Sequence, residues 1–295
     1  MIISASRRTD IPAFYSEWFM RRIHQQYCLC VNPFNRHQVT QVSLQPEDVD
    51  ALVFWTKNAE PLLSRLPELD ARGYRYYFQY TLNGYGELFE PNLPELERCI
   101  ETFLQLSERI GAERVIWRYD PVILSSRTDV SYHQQRFGYI LERLQAATRR
   151  IVVSIVDDYR KASHNFKRLQ VQGLTIQTDY RAEQLASLCT FMSEQAGRHN
   201  IPVYSCAESF DLTPFGIFPG KCVDGELIAR LFNVQVKAGK DRSQRRECGC
   251  LQSKDIGFYD TCLHGCAYCY AGTMQSALRN RVKHEVDSPM LIGNI

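Results

Sequence analysis

Cys262, Cys266 and Cys269 fall within the run Cys262-Leu263-His264-Gly265-Cys266-Ala267-Tyr268-Cys269-Tyr270, so one short loop can bring three thiolates to a single soft-metal centre. Three thiolates complete the coordination of three irons of a [4Fe–4S] cube and leave the fourth iron open to a small molecule, whereas a closed electron-transfer cluster takes four. The spacing therefore points to catalysis. A structural zinc ion is the other occupant of such a loop, with His264 or a distant cysteine as fourth ligand. Zinc sites, however, usually draw on two separated Cys-x2-Cys or Cys/His pairs.

The chain has eleven cysteines, five of them between positions 248 and 269. Its start, Met1-Ile2-Ile3-Ser4-Ala5-Ser6-Arg7-Arg8, puts the basic pair after a very short apolar run, the wrong order and length for a secretory signal. An odd cysteine count without an export signal makes a disulfide framework a poor account and metal ligation a better one. Cys28, Cys99 and Cys189 read as core residues. Cys248 and Cys250 do not, because Cys-Gly-Cys lies between charged residues and a polar linker. With Cys206 and Cys222 they make four thiolates, enough for a closed auxiliary iron–sulfur cluster or a structural zinc.

Elements must deliver these groups. Short β-branched and aromatic runs at 2–6, 52–55, 74–80, 114–117, 151–155 and 201–204 predict six strands. Between them lie helical patterns such as Phe14, Trp18, Phe19 and Ile23, or Leu96, Ile100, Phe103 and Leu104 ahead of Gly111. Strand and helix in alternation predict an α/β fold with a parallel sheet, read here as a partial (β/α)6 TIM-like barrel. Asn32-Pro33-Phe34-Asn35 is a turn signal inside 29–44 and predicts an inserted β-hairpin. After about residue 236 apolar periodicity gives way to Lys, Arg, Gly and Cys, so the expected division is a barrel over 1–236 and a Cys-rich, cluster-binding segment over 237–295 folded across its mouth.

In parallel α/β folds ligands gather at the C-terminal ends of the strands. Each predicted strand runs into polar groups there: Arg7, Arg8, Thr9 and Asp10; Thr56, Lys57 and Asn58; Thr81 and Asn83; Arg118 and Asp120; Ser154, Asp157 and Asp158; Cys206 and Glu208. Asp10 before Ile11-Pro12 also has the form of a helix N-cap. Arg7 and Arg8 need anionic partners, from protein or ligand, and Arg118 with Asp120 could be an ion pair ordering the rim or a catalytic pair.

At 295 residues and 12% aromatic content the chain suits one large α/β unit plus an appendage, and no stretch reaches the roughly 18 apolar residues of a membrane span. A soluble, cytoplasmic protein without a membrane partner is expected. The net charge of +2 is too small to argue for nucleic acid, although Lys237, Lys240, Arg242, Arg245 and Arg246 form a local basic run.

Cys-x3-Cys-x2-Cys with an aromatic before the last cysteine resembles the signature of radical S-adenosylmethionine enzymes, matched here by Cys262, Cys266, Tyr268 and Cys269. The fuller string through Tyr270-Ala271 resembles the spore photoproduct lyase branch, and Phe54-Trp55-Thr56-Lys57-Asn58 is similar to its Thr-Lys element. One departure stands out: the cysteine loop ordinarily follows the first strand, and here it follows the last. Over nearly its full length the chain also resembles a bacterial family catalogued as domain of unknown function 1848. That likeness rests on the segments 4–12, 32–35 and 54–58 and on 255–270.

The resemblance implies a [4Fe–4S] cluster on Cys262, Cys266 and Cys269, bound S-adenosylmethionine, and a 5′-deoxyadenosyl radical acting on an unknown substrate, a small molecule or damaged nucleic acid. It also implies a reducing partner such as flavodoxin or ferredoxin. Tyr268 would lie against the adenine, Lys57 and Thr81 would meet the carboxylate and ribose, and Arg7, Arg8 and Asp10 would contact the cofactor. Arg118, Asp120, Glu208 and Cys206 are the catalytic candidates, Cys206 as a hydrogen-atom donor if it is not a metal ligand. The competing class is a non-catalytic zinc- or cluster-stabilised binder of nucleic acid, through Arg7, Arg8 and the 237–246 run.

Overall fold

The computed structural model describes residues 1–156, 160–171, 173–177 and 180–293. Among them ten strands form in chain order: β1 (Ile2–Ala5), β2 (Tyr27–Asn32), β3 (Asn35–Ser43), β4 (Ala51–Thr56), β5 (Tyr76–Thr81), β6 (Val115–Val122), β7 (Ile151–Ile155), β8 (Val203–Ser205), β9 (Ile217–Pro219) and β10 (Lys254–Asp255). Eight of them make one sheet in the order β10-β1-β4-β5-β6-β7-β8-β9, and every pairing in it is parallel. The architecture is a mixed α/β fold with helices flanking that sheet.

The central strands are buried almost throughout, as strands covered on both faces must be. Alternation sorts their side chains. Leu52, Phe54, Tyr76, Phe78, Val115 and Trp117 belong to the larger core beneath the helices. Ala51, Val53, Tyr77, Ile116 and Val152 face the other way and pack on Val223, Leu227 and Ile228 together with Cys222, Cys248 and Cys250. The second face is therefore closed by chain that follows β9, and the polar residues sharing that face, Gln79 and Arg118, meet the cysteines there.

The six expected strands are β1 and β4 to β8, neighbours in chain order within the sheet, and the hairpin is present as β2 and β3, antiparallel around Pro33-Phe34. The expected count falls two short of the sheet. Three-residue β9 and two-residue β10 carry too little periodicity to announce themselves, and β10 is ordered by pairing Lys254 and Asp255 with Ile3 and Ser4. Among the described residues no helix is long and apolar enough to cross a membrane.

His133, on the helix Val130–Leu144, is fully buried. Its Nε2 lies 2.9 Å from the Ile123 carbonyl and its Nδ1 2.8 Å from the Tyr119 hydroxyl, a setting for the neutral ring. Burial lowers it from 6.5 to about 4. A depressed folded value stabilises the fold above the unfolded value, and that contribution is lost as pH falls from 6.5 through about 4. The loss amounts to roughly 3 kcal/mol at about 1.36 kcal/mol per pH unit. Urea unfolding between pH 7 and pH 4 should show His133→Leu losing less stability than the wild type by about that amount; parallel pH profiles would refute the assignment.

Candidate functional site

The C-terminal strand ends open on a cavity of about 440 Å³, a size that suits a cofactor or small ligand. Its wall includes Arg7, Arg8 and Asp10 after β1, Thr56 and Lys57 at the end of β4, Thr81 of β5, Arg118 and Asp120 of β6, Ser154 of β7 and Cys206 after β8. Cys262, Cys266, Tyr268 and Cys269 line the same cavity, as do Cys222, Cys248 and Cys250. Glu208 does not line it; its Oε1 accepts from the Ile155 N–H at 2.9 Å and so ties the end of β7 to the loop after β8. Asp157 and Asp158 lie outside the described residues.

Asp10 caps the helix Ile11–Phe14, its Oδ1 accepting from Ala13 N–H at 3.0 Å, and it does more than cap. Oδ1 also accepts from the Thr56 hydroxyl at 2.8 Å, and Oδ2 from the Lys57 N–H at 2.7 Å. His264 Nε2 sits 2.8 Å from the same Oδ2. One carboxylate thus joins the ends of β1 and β4 to the cysteine loop, so His264 is occupied on that nitrogen as an Asp10 partner rather than free as a zinc ligand.

Glu90 is a second junction. Lys57 Nζ donates to its Oε1 at 2.8 Å, Asn83 donates at 3.3 Å, the Tyr85 N–H reaches Oε2 at 3.3 Å, and the Tyr268 hydroxyl donates to Oε1. Burial alone would push Lys57 down and Glu90 up, but each charge outweighs that for the other: Lys57 is raised and Glu90 lowered, so both are ionised at neutral pH.

The cysteine loop is held by its backbone. Ala267 N–H donates to Phe89 C=O at 2.8 Å, Asn92 donates to Leu263 C=O at 3.0 Å and Asn165 to Ala267 C=O at 3.0 Å. Gly265 has φ +69°, and a Cβ there would meet Asn92 Nδ2 at 3.0 Å, so the turn between the first two cysteines favours glycine. The eleven cysteines form no disulfide. Burial pushes Cys262 up, helped by Cys269 and Cys266, and pushes Cys266 up to about 12 against the pull of Lys57. Three thiolates in this desolvated place require a cationic centre among them. Among the described residues no three His, Cys, Asp or Glu side chains form, as placed, a group that could hold a metal ion. A cube takes its thiolates on three different irons, further apart than the ligands of one ion, so this does not count against a cluster. Four cavity-wall atoms are buried without a hydrogen-bond partner among the described residues: Arg7 Nη2, Thr9 Oγ1, Trp55 Nε1 and His264 Nδ1. Soft donors and orphaned polar atoms on one wall fit a cluster with a polar organic ligand.

The other cysteines also gather. Cys206 and Cys222 place their sulfurs 3.5 Å apart, and Cys250 Sγ accepts from the N–H groups of Cys222 and Val223 at 3.3 and 3.4 Å. Arg118 Nη1 donates to Cys222 Sγ at 2.7 Å and its other arm pairs with Asp120, which also accepts from Ser154. Arg7 and Arg118 each hold a guanidinium close to the Trp55 ring, at 5.0 and 5.2 Å from its centroid. Cys206 is lowered to about 6, chiefly by the neighbouring Cys222 thiol and then by Arg118. The basic run is exposed at Lys237, Lys240, Arg242, Arg245 and Arg246, with Arg245 reaching the cavity wall.

Glu90, Asp255 and Gln79 escaped sequence reasoning. Asp255 accepts from Ser4, Ser6 and the Arg7 N–H, at 3.2, 2.7 and 2.8 Å. Glu90 follows no strand, and Asp255 sits in a tail without periodicity; Gln79, a polar residue inside a buried strand, was the one readable signal.

The sequence model of a family described as a domain of unknown function (DUF1848) matches residues 2–271. No curated protein matches the sequence. Among solved structures, a Bacteroides thetaiotaomicron VPI-5482 protein described as a "putative alpha-L-fucosidase" is similar at 11% identity and a TM-score of 0.26, over 64% of this chain and 73% of that one. A likeness of that degree carries no argument about this chain.

Proposed function

The chain belongs to the DUF1848 family, which brings no reaction with it, and from the chain's own cavity we propose that it is a radical S-adenosylmethionine enzyme. What carries this reading is one juxtaposition: the Cys-x3-Cys-x2-Cys loop, at the far end of the chain, lines the same cavity as the polar ends of β1 and β4 to β8. On this reading the sheet is a partial barrel, its rim is the active-site mouth, and the permuted loop enters where the loop after the first strand ordinarily stands. Cys262, Cys266 and Cys269 would hold a [4Fe–4S] cluster. When bound, that cluster and S-adenosylmethionine supply reductive cleavage of the sulfonium bond to a 5′-deoxyadenosyl radical.

The chain's residues have the remaining work. Arg7, with Nη2 unpartnered among the described residues, is the anchor for an anionic group on the cofactor or substrate. Lys57 keeps two N–H groups beyond its bond to Glu90 and, with Thr81, would meet the cofactor carboxylate and ribose. Tyr268 would lie against adenine, its ring fixed by the hydroxyl bond to Glu90. Arg118, Asp120 and Cys206 face the space left for a small molecule or a damaged nucleotide, and a flavodoxin or ferredoxin would deliver the electron. A dry, closed wall is needed because a primary radical takes hydrogen from whatever lies close.

Anaerobic reconstitution with iron and sulfide, followed by metal analysis and chromatography for 5′-deoxyadenosine after addition of dithionite, tests the proposal. About four irons per open-iron cluster and accumulation of 5′-deoxyadenosine are expected. Zinc alone in the Cys262 loop, with no nucleoside formed, would favour the non-catalytic nucleic-acid binder instead.

A further inference from the structure

We propose that Cys206, Cys222, Cys248 and Cys250 form a second metal centre, a closed site in which four thiolates bind one zinc-like divalent ion. It does not rest on the radical reading, since none of its ligands belongs to the Cys262 loop. The four come from three separate stretches of chain: the end of β8, the turn after β9 and the tail. Isolated core cysteines have no reason to converge from separate stretches of chain, yet these four gather in one place. Cys206 Sγ lies 3.5 Å from Cys222 Sγ, Cys250 Sγ accepts from the Cys222 N–H at 3.3 Å, and Cys248 is buried in the same cluster.

Within the apolar cluster that holds them, two of the four sulfurs receive donors. Cys250 Sγ receives two backbone N–H groups, and Cys222 Sγ receives Arg118 Nη1 at 2.7 Å. Four thiolates around a divalent ion carry a net charge of −2, and two buried cations, Arg118 and Arg7, face the group. Cys222, Cys248 and Cys250 are 2%, 8% and 3% exposed and Cys206 is half-buried, so the four would hold an ion in the cavity wall.

The one short sulfur pair favours a single ion over a cube. Sulfurs bonded to a tetrahedral ion at about 2.3 Å lie about 3.8 Å apart, close to the 3.5 Å of Cys206 and Cys222; thiolates on different corners of a cube lie further apart. As placed, no three of these side chains form a group that could hold a metal ion. On this proposal the thiols turn their sulfurs to one point when the ion binds. A closed site is structural: it would tie the tail to the ends of β8 and β9 before the chain continues through β10 into the Cys262 loop.

The test uses the full chain carrying Cys262→Ser, Cys266→Ser and Cys269→Ser, so that the first site is absent. It is purified anaerobically and offered iron with sulfide and zinc together, then dialysed and analysed for metal. About one zinc per chain should remain, and cobalt in its place should show the charge-transfer and d–d bands of a tetrathiolate. Adding Cys250→Ser should remove at least about nine-tenths of the zinc, whereas Cys250→His, which restores a zinc ligand, should retain it with shifted cobalt bands. Bound iron and sulfide in place of zinc, no metal with a Cys206–Cys222 disulfide found by mass spectrometry, or full zinc in the Cys250→Ser variant would each overturn the proposal.

Discussion

Cys266→Ala should abolish 5′-deoxyadenosine formation, by at least about 10³-fold or some 4 kcal/mol of barrier, in a protein that still folds. Removing this ligand leaves two thiolates for a cube that needs three. His264 offers Nδ1 on the same wall, but its Nε2 is engaged by Asp10, and its ring packs on Phe14 with centroids 4.6 Å apart. The loop does not depend on the sulfur for its shape, because Ala267 N–H, Leu263 C=O and the Gly265 turn are held by Phe89 and Asn92. Truncation removes one buried sulfur, a loss of about 1 kcal/mol on the scale of small core deletions. Iron content and nucleoside yield should therefore collapse while the thermal midpoint hardly moves. A variant that cleaved the cofactor at the wild-type rate would remove the cluster from the mechanism.

The strand ends were legible because a parallel sheet sends the C-terminal ends of all its strands to one edge. With six strands read from β-branched and aromatic runs, Arg7, Asp10, Lys57, Thr81, Arg118 and Cys206 had to be neighbours, and they are. The cysteine loop was legible for a different reason: its ligands are local in sequence. The contacts that bring it to the rim were not. Asp10 meets His264 across 254 residues and Ser6 meets Asp255 across 249, and neither pair leaves a periodic trace. Glu90 is the sharpest case, since its sequence surroundings, Leu88-Phe89-Glu90-Pro91, suggest only a loop between strand and helix. Its role comes from being buried beside Lys57, a fact of tertiary packing alone.

That burial makes Glu90→Gln the most damaging conservative change expected at the rim. Lys57 and Glu90 are 14% and 3% exposed at the side chain and 2.8 Å apart. Removing one charge of a buried pair strands the other, which costs roughly 3–5 kcal/mol, whereas replacing both with neutral groups is far milder. Glu90→Gln should lower the unfolding free energy by about that amount, and Lys57→Met combined with Glu90→Gln should recover most of it.

The pH dependence separates this account from a packing defect. In the wild type Lys57 is raised, so its contribution is full below the unfolded value of 10.5 and fades as pH rises through the folded value. Without Glu90, burial lowers Lys57 instead, and a depressed lysine costs stability only while the pH is low enough to keep it charged in the unfolded chain. The relief of the variant's depressed lysine makes the gap between wild type and Glu90→Gln narrow as pH climbs from 7 toward 10.5, and the fading wild-type contribution narrows it further above 10.5. Guanidinium unfolding at pH 7 and pH 10 measures it, and a gap that stayed constant would mean that the introduced amide merely packs badly. The Tyr268 hydroxyl loses its anionic acceptor in the same variant, so binding of S-adenosylmethionine, followed by calorimetry on the reconstituted protein, should weaken as well. Lys57→Met alone, which keeps the Glu90–Tyr268 bond, should weaken it by a different route, through loss of the carboxylate contact.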